Sequence, residues 1–214
     1  MRQKHIAKMA ALLVFVPAIS MAEIIPGSVV VYSDGDVEKL LSTNKEWSLW
    51  EDQRKRQYKR SYLPYLPVLE YRRFSEQPGG YDQFVPDLGE VELKPFSDRE
   101  SVRFDLTRRD LQKGTTKRLW RCSYDGSGTF SLSKTQQLKT HEYSCMRVVV
   151  GKGFLEKVRE QLVLSYSPEL KLVMKQVKTD RYGRTRQVEV ERILPPERAT
   201  AKRIARTVYK ITSR

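Results

Sequence analysis

Hydrophobic and polar positions alternate with a period of two along most of this chain. Val102, Phe104 and Leu106 are interleaved with Arg103, Asp105 and Thr107, the pattern of a strand with one buried and one wet face. Trp120, Cys122 and Tyr124 repeat it against Arg121 and Ser123. Asp125-Gly126-Ser127-Gly128 then reads as a turn, and Phe130 and Leu132 resume the alternation over 129–133 as the second arm of a hairpin. Further strands are predicted at 142–150, 158–166, 170–177 and 187–194, punctuated by Gly151-Lys152-Gly153, Ser167-Pro168 and Tyr182-Gly183. Short strands at such spacing predict a mainly β fold, an antiparallel meander forming a curved sheet or barrel.

Outside that region the pattern weakens. Val29-Val30-Val31-Tyr32 is a plausible first strand, 36–42 reads as one or two helical turns, and 44–71 shows no decisive period. Residues 82–100 hold six acidic and two basic residues, with Pro78, Pro86 and Pro95 in or beside the stretch, and read as a loop or an irregular sheet edge. After Pro195-Pro196, residues 197–211 can form a short C-terminal helix with Ala201, Ile204, Val208 and Ile211 on one face and a basic opposite face. No internal repeat is visible.

The start of the chain changes the compartment. Arg2, Lys4 and Lys8 precede an apolar run from Met9 to Ile19, and Ser20-Met21-Ala22 supplies small residues before Glu23, the grammar of a cleaved export signal. The run is far shorter than the ~20 residues that span a bilayer, and no other segment is long enough. The organisation read from this is a signal peptide at 1–22 cleaved after Ala22, a single β-rich domain at 23–194 and a basic helix or tail at 195–214. The expected location is the periplasm or the exterior, with no transmembrane segment in the mature protein. The formal net charge is +14; removing three positive and no negative charges leaves +11. In an oxidising compartment two cysteines, Cys122 and Cys145, favour a disulfide. A zinc site fits poorly, because there is no Cys-x-x-Cys pair and little histidine, so no metal or cofactor is implied.

For catalysis the informative feature is what the chain lacks. His141 is the single histidine after the leader, and Gly-x-Ser-x-Gly, His-Glu-x-x-His and the Walker pattern are missing, so no catalytic residue is assigned. Asp34-Gly35-Asp36 and Asp125-Gly126 have turn composition, although paired carboxylates of this kind can cleave glycosidic bonds. The positive signal is a basic, aromatic run: Trp47 and Trp50 lead into Arg54, Lys55, Arg56, Tyr58, Lys59 and Arg60, so that five of seven residues from 54 to 60 are cationic. Cations interleaved with rings suit a polyanion. The bland alternative is that the charges are solvated while the rings pack inward. The helix residues Arg198, Lys202, Arg203, Arg206 and Lys210 invite the same two readings, an anionic surface or simple docking of the apolar stripe on the body. In an exported protein the accessible polyanions are lipid or polysaccharide rather than nucleic acid.

A resemblance enters at Leu119-Trp120-Arg121-Cys122-Ser123-Tyr124, at Tyr143-Ser144-Cys145-Met146-Arg147 and at Tyr166-Ser167-Pro168-Glu169-Leu170. The segment 100–194 resembles exported bacterial β-rich proteins of uncharacterised function that carry Trp-x-Cys, Tyr-x-Cys-x-Arg and Tyr-x-Pro-Glu-Leu elements. The chain departs from that pattern at Ser133 to Leu138, where relatives have an Ala-Gly-Thr-Phe-like turn. The resemblance implies a disulfide-stapled envelope domain without assigned catalytic residues. The sequence as a whole reads as a non-enzymatic periplasmic or cell-envelope protein that binds a protein partner or an anionic envelope component. A hydrolase of an envelope polymer and a lipid carrier are the alternatives.

Overall fold

The computed structural model describes residues 24–66, 68–73, 81–87, 101–110, 114–150 and 156–213. The proposed leader, Gly151-Lys152-Gly153 and most of the acidic stretch lie outside these residues. Twelve strands follow in chain order: β1 (Val29–Tyr32), β2 (Val37–Thr43), β3 (Trp47–Asp52), β4 (Arg56–Ser61), β5 (Glu70–Arg73), β6 (Tyr81–Asp87), β7 (Ser101–Asp110), β8 (Gly114–Ser133), β9 (Gln136–Val150), β10 (Glu156–Ser167), β11 (Leu172–Asp180) and β12 (Thr185–Leu194). Helix α1 (Ala201–Thr212) follows. Each strand pairs antiparallel with its neighbours in sequence, and β1 pairs with both β2 and β12, so the meander closes into a barrel.

Closure removes the unpaired N–H and C=O rows that an open sheet would present at its edges. It also sets the interior. About eight strands give a barrel that side chains just fill, whereas larger rings enclose space that other elements must occupy. Here two elements partly fill it. The segment after β4 carries the buried Tyr65 and Leu66 into a cluster with Phe104, Leu106, Trp120, Tyr143, Leu164 and the cystine. The second filler is the end of the β8–β9 hairpin. Strand β8 pairs with β7 only over 114–123 and β9 with β10 only over 141–150, so the rest of the hairpin extends beyond its sheet neighbours. Its Phe130, Leu132 and Leu138 pack against Val30, Leu40, Trp50, Leu172 and Met174 and cover one end of the barrel.

The turn expected at Asp125-Gly126-Ser127-Gly128 is corrected: the strand runs through it. The ladder slips between Tyr124 and Gly126, and Gly126 has φ +136°, so the Asp-Gly pair supplies a bulge that lets the long hairpin bend. The reversal is at Lys134–Thr135. The stretch read as helical turns, 36–42, instead holds most of strand β2, because Leu40 and Glu38 both point inward, Glu38 pairing with β1 and β3 and Leu40 with β3. Within the acidic stretch, 82–87 belongs to the regular strand β6, hydrogen-bonded on both sides. The ambiguous region 44–71 contains β3, β4 and the start of β5.

Helix α1 begins at Thr200, whose side-chain oxygen accepts from the Arg203 amide, the N-cap arrangement. Its Ile204, Val208 and Ile211 pack on Val29, Val31 and Leu194, the outward face of β1 and β12, so the apolar stripe docks on the barrel wall. The β1–β2 turn lies under the helix end: Gly35 has φ +83°, and a Cβ there would stand 2.9 Å from Thr212 Cγ2.

Cys122 and Cys145 are directly opposed on β8 and β9, both 1% exposed, and form the disulfide expected. With a sequence separation of 23 between them the cross-link removes roughly 3 kcal/mol of unfolded-chain entropy. The Cys122→Ala/Cys145→Ala variant is expected to keep the barrel's circular dichroism but to unfold at a denaturant midpoint lower by an amount equivalent to about 2–4 kcal/mol. Equilibrium urea denaturation checks this.

Candidate binding site in the barrel lumen

The inward faces of the strands leave a cavity of about 590 Å³. That lies within the range of about 300–1,000 Å³ typical of small-ligand sites. Toward the end covered by the hairpin it is walled by Tyr65, Leu66, Leu106, Trp120, Leu164 and Tyr166; at the opposite mouth stand Asp34, Asp36, Arg118, Glu160, Lys178 and Arg186. An apolar depth beneath a charged mouth follows from the strand patterns: inward positions that are aromatic or aliphatic in mid-strand become charged near the β1–β2 and β11–β12 turns.

One wall is closed electrostatically. Arg60 donates through Nη1 and Nη2 to the two Glu38 carboxylate oxygens at 2.6 Å each, and Tyr32 Oη donates to Glu38 Oε2 at 2.7 Å. Burial alone would lower the Arg60 pKa, but the Glu38 carboxylate and Tyr32 outweigh it and hold the guanidinium charged. Burial, reinforced by Glu38, pushes the Tyr32 hydroxyl well above its ordinary value. This bidentate pair is a fixed part of the wall rather than a free cation.

The neighbouring turn is built on Asp52. Its carboxylate accepts from the Arg54 and Arg56 amides at 2.9 and 3.0 Å, from Arg56 Nε at 2.6 Å and from Tyr58 Oη at 3.0 Å. Burial would raise its pKa, but the bonds from Arg56, Arg54 and Tyr58 prevail and hold it below the usual carboxylate range. The cationic run of the sequence is thereby taken apart. Arg56 and Arg60 lie on the inward side of β4 and are paired with Asp52 and Glu38; Lys59 points outward to Glu70 at 3.2 Å and over the Trp47 ring; Lys55, in the turn, meets Glu51 at 2.9 Å. Tyr58 packs on Tyr71, and Trp50 is buried with its indole N–H donating to Ser48. Arg54 alone among the five cations has no carboxylate within 4.0 Å of its charged group among the described residues. These residues do not converge on an external groove. Arg203 and Arg206 stand exposed on α1, which packs on β1 and β12, beside the exposed Lys202 and Lys210.

Of the carboxylates considered for acid–base chemistry, Asp125 lies on the outer surface, where it accepts from Ser123 and Ser144. Asp34 and Asp36 do reach the mouth. Arg186 contacts Asp34 at 2.5 Å and Asp36 at 4.0 Å, and burial together with the Asp34 charge raises the Asp36 pKa. His141 is half-buried and meets the Tyr124 ring edge-on, with centroids 5.6 Å apart.

The lumen also contains donors that the sequence reading did not single out. Arg118 and Trp120 share the inward face of β8, and Arg147 lies opposite Trp120 on β9. The signal was present: extending the Trp120, Cys122, Tyr124 alternation two positions upstream places Arg118 on the buried face, and Tyr143, Cys145 and Arg147 share a period of two on β9.

No family model matches the chain, and no curated protein matches it. Among solved structures it is similar to the crystal structure of the hypothetical lipoprotein YmcC from Escherichia coli (K12), at 12% sequence identity and a TM-score of 0.49, over 82% of this chain and 90% of that one. A likeness at that level transfers no function.

Two outcomes follow from the wall. Glu38→Gln and Arg60→Met should each destabilise by about 3 kcal/mol because each strands a largely buried partner, while the double variant should lose much less than the sum; urea denaturation of the four proteins checks it. Asp52 contributes stability that is complete above the ordinary carboxylate pKa of about 4 and is lost as pH falls through its lower folded value. Asp52→Asn should be less stable at neutral pH and should show a shallower loss of thermal stability below about pH 4, measured by melting against pH.

Proposed function

We propose that the protein is a non-enzymatic binding protein of the cell envelope, exported by its leader, that holds an anionic envelope component inside the barrel. The observation that carries this reading is the lumen itself: a closed ring of twelve strands encloses about 590 Å³ that its own side chains leave unfilled, apolar in depth and charged at the mouth, where Arg118 has no carboxylate within 4.0 Å among the described residues. A barrel needed only as a scaffold would be packed to interior density. The disulfide supports residence in an oxidising compartment, in keeping with the leader and with the resemblance carried by the Trp-x-Cys and Tyr-x-Cys-x-Arg strands. The run Arg54 to Arg60 contributes structure to this reading, since four of its cations are already neutralised.

A second reading rests on Asp34 and Asp36, two carboxyl groups at the cavity mouth, one of them with a raised pKa. In a hydrolase of an envelope polymer Asp36 would act as the acid, with Asp34 as its partner carboxylate. Their shared contact with Arg186, and the location of both in a tight turn where Asp34 Oδ1 accepts the Asp36 amide, favour the structural role.

Leu164→Trp places a larger ring in the lumen without changing its charge. The neutral probe N-phenyl-1-naphthylamine should become fluorescent on binding the native barrel, and its affinity should fall at least tenfold in Leu164→Trp at unchanged circular dichroism. Equal affinity in the two proteins would locate binding outside the lumen and reject the reading.

A further inference from the structure

We infer that the lumen ligand is an amphipathic anion, a single-chain molecule whose carboxylate or phosphate headgroup is held by Arg118 and the indole N–H of Trp120 while its hydrocarbon part lies against Leu106, Leu162 and Leu164. The inference rests on the lumen being the binding site and adds the class of ligand and its direction of entry.

Three observations converge. Trp120 is 3% exposed, lines the cavity, and its Nε1–H has no acceptor. An indole nitrogen can only donate, and a buried donor without a partner is rare and costly. Arg118 precedes it by two residues on the same inward face, hence roughly 7 Å along the strand, and lines the same cavity. Among the described residues no carboxylate lies within 4.0 Å of Arg118, whereas its neighbours are committed. Arg108 holds Asp82 and Asp110 at 2.9 and 3.1 Å, and Arg147 and Lys178 share Glu160 at 3.6 and 3.0 Å. On this wall four cations face three carboxylates, and Arg118 carries the surplus. Its environment is unfavourable to it: burial, then the like charges of Arg147 and Arg108, lower its pKa.

An anion placed between Arg118 and Trp120 relieves both defects. It supplies the missing countercharge and accepts the orphaned N–H. A neutral ligand relieves at most the second, and a cation worsens the first. Leu106 stands directly across from Arg118, and deeper than this pair the lumen presents Leu162, Leu164 and Tyr166, with no unpaired charge among these residues, so the remainder of the ligand is apolar. The hairpin closes the far end. The charged mouth is therefore the end at which the headgroup stays.

The test uses the purified full chain without its leader and four matched probes below their micellar concentrations: dodecanoate, dodecyl phosphate, dodecanol and dodecyltrimethylammonium. Isothermal titration should show the anions binding at least tenfold more tightly than dodecanol, and the ammonium probe binding weakest. Arg118→Met should bring the anions to the level of the alcohol, and Trp120→Phe, which preserves packing, should weaken the anions more than the alcohol, whose oxygen is the poorer acceptor of the indole N–H. Preference for dodecanoate identifies an acyl carboxylate and preference for dodecyl phosphate a phosphate monoester; either supports the inference. Equal binding of alcohol and anions, insensitive to Arg118→Met, overturns the headgroup assignment while leaving the lumen as a site. Failure of all four probes to bind removes the lumen reading itself. The variant Arg203→Glu/Arg206→Glu on α1 should bind as the native protein does, and loss of anion binding there would assign it to the helix surface and overturn the inference.

Discussion

The structure depends on the closing of a twelve-strand ring, and the closing contact is a short ladder. Strand β1 has only four residues, yet it is paired to β2 on one side and to β12 on the other, joining the two ends of the meander. Val30 and Val31 are fully buried because the strand is covered on both faces, by the lumen cluster within and by α1 without. The C-terminal helix is thus a buttress on the seam. Its apolar stripe lies across β1 and the end of β12, and Gly35 allows the adjoining turn to approach the last helical turn.

Ring size then dictates the chemistry. A ring this wide cannot be filled by the side chains of its own strands, so the chain sends in the Tyr65–Leu66 segment and folds the β8–β9 hairpin over one end. What remains is an open volume, and charges that face inward must be answered inside it. Arg60 is answered by Glu38, Arg56 by Asp52, and Arg108 by Asp82 and Asp110. Arg118 is the exception among these inward cations, and its neighbour Trp120 carries an unmet N–H. Where nearly every inward polar group is satisfied, two adjacent exceptions on one strand face, with the unpartnered Arg147 Nε opposite Trp120 on the next strand, mark the part of the wall that something else completes.

The legibility of each strand tracked what its inward face carries. Strands β7, β8 and β10 turn Val102, Phe104, Leu106, Trp120, Leu164 and Tyr166 inward, and their period of two is plain. Strand β4 turns Arg56, Tyr58 and Arg60 inward, so its alternation has no hydrophobic contrast to reveal it. Strand β2 does the same with Glu38, and the remaining Val37, Leu40 and Leu41 fit a helical spacing equally well. The Asp-Gly of residues 125–126 was equally deceptive, since the conformational freedom that makes a turn also makes a bulge.

From the sequence alone came the β meander, the cystine and the amphipathic terminal helix, because each rests on short-range information: alternation along a strand, an even cysteine count, and a stripe repeating every three to four residues. The tertiary structure alone decided which charges are free. Arg60 meets Glu38 across 22 positions and Arg108 meets Asp82 across 26, pairings set by strand register and ring closure rather than by local spacing. The same non-local geometry leaves Arg118 beside Trp120 in an unfilled lumen, because a side chain's partner is whatever the ring brings opposite it, and one linear stretch of residues holds only half of that pair.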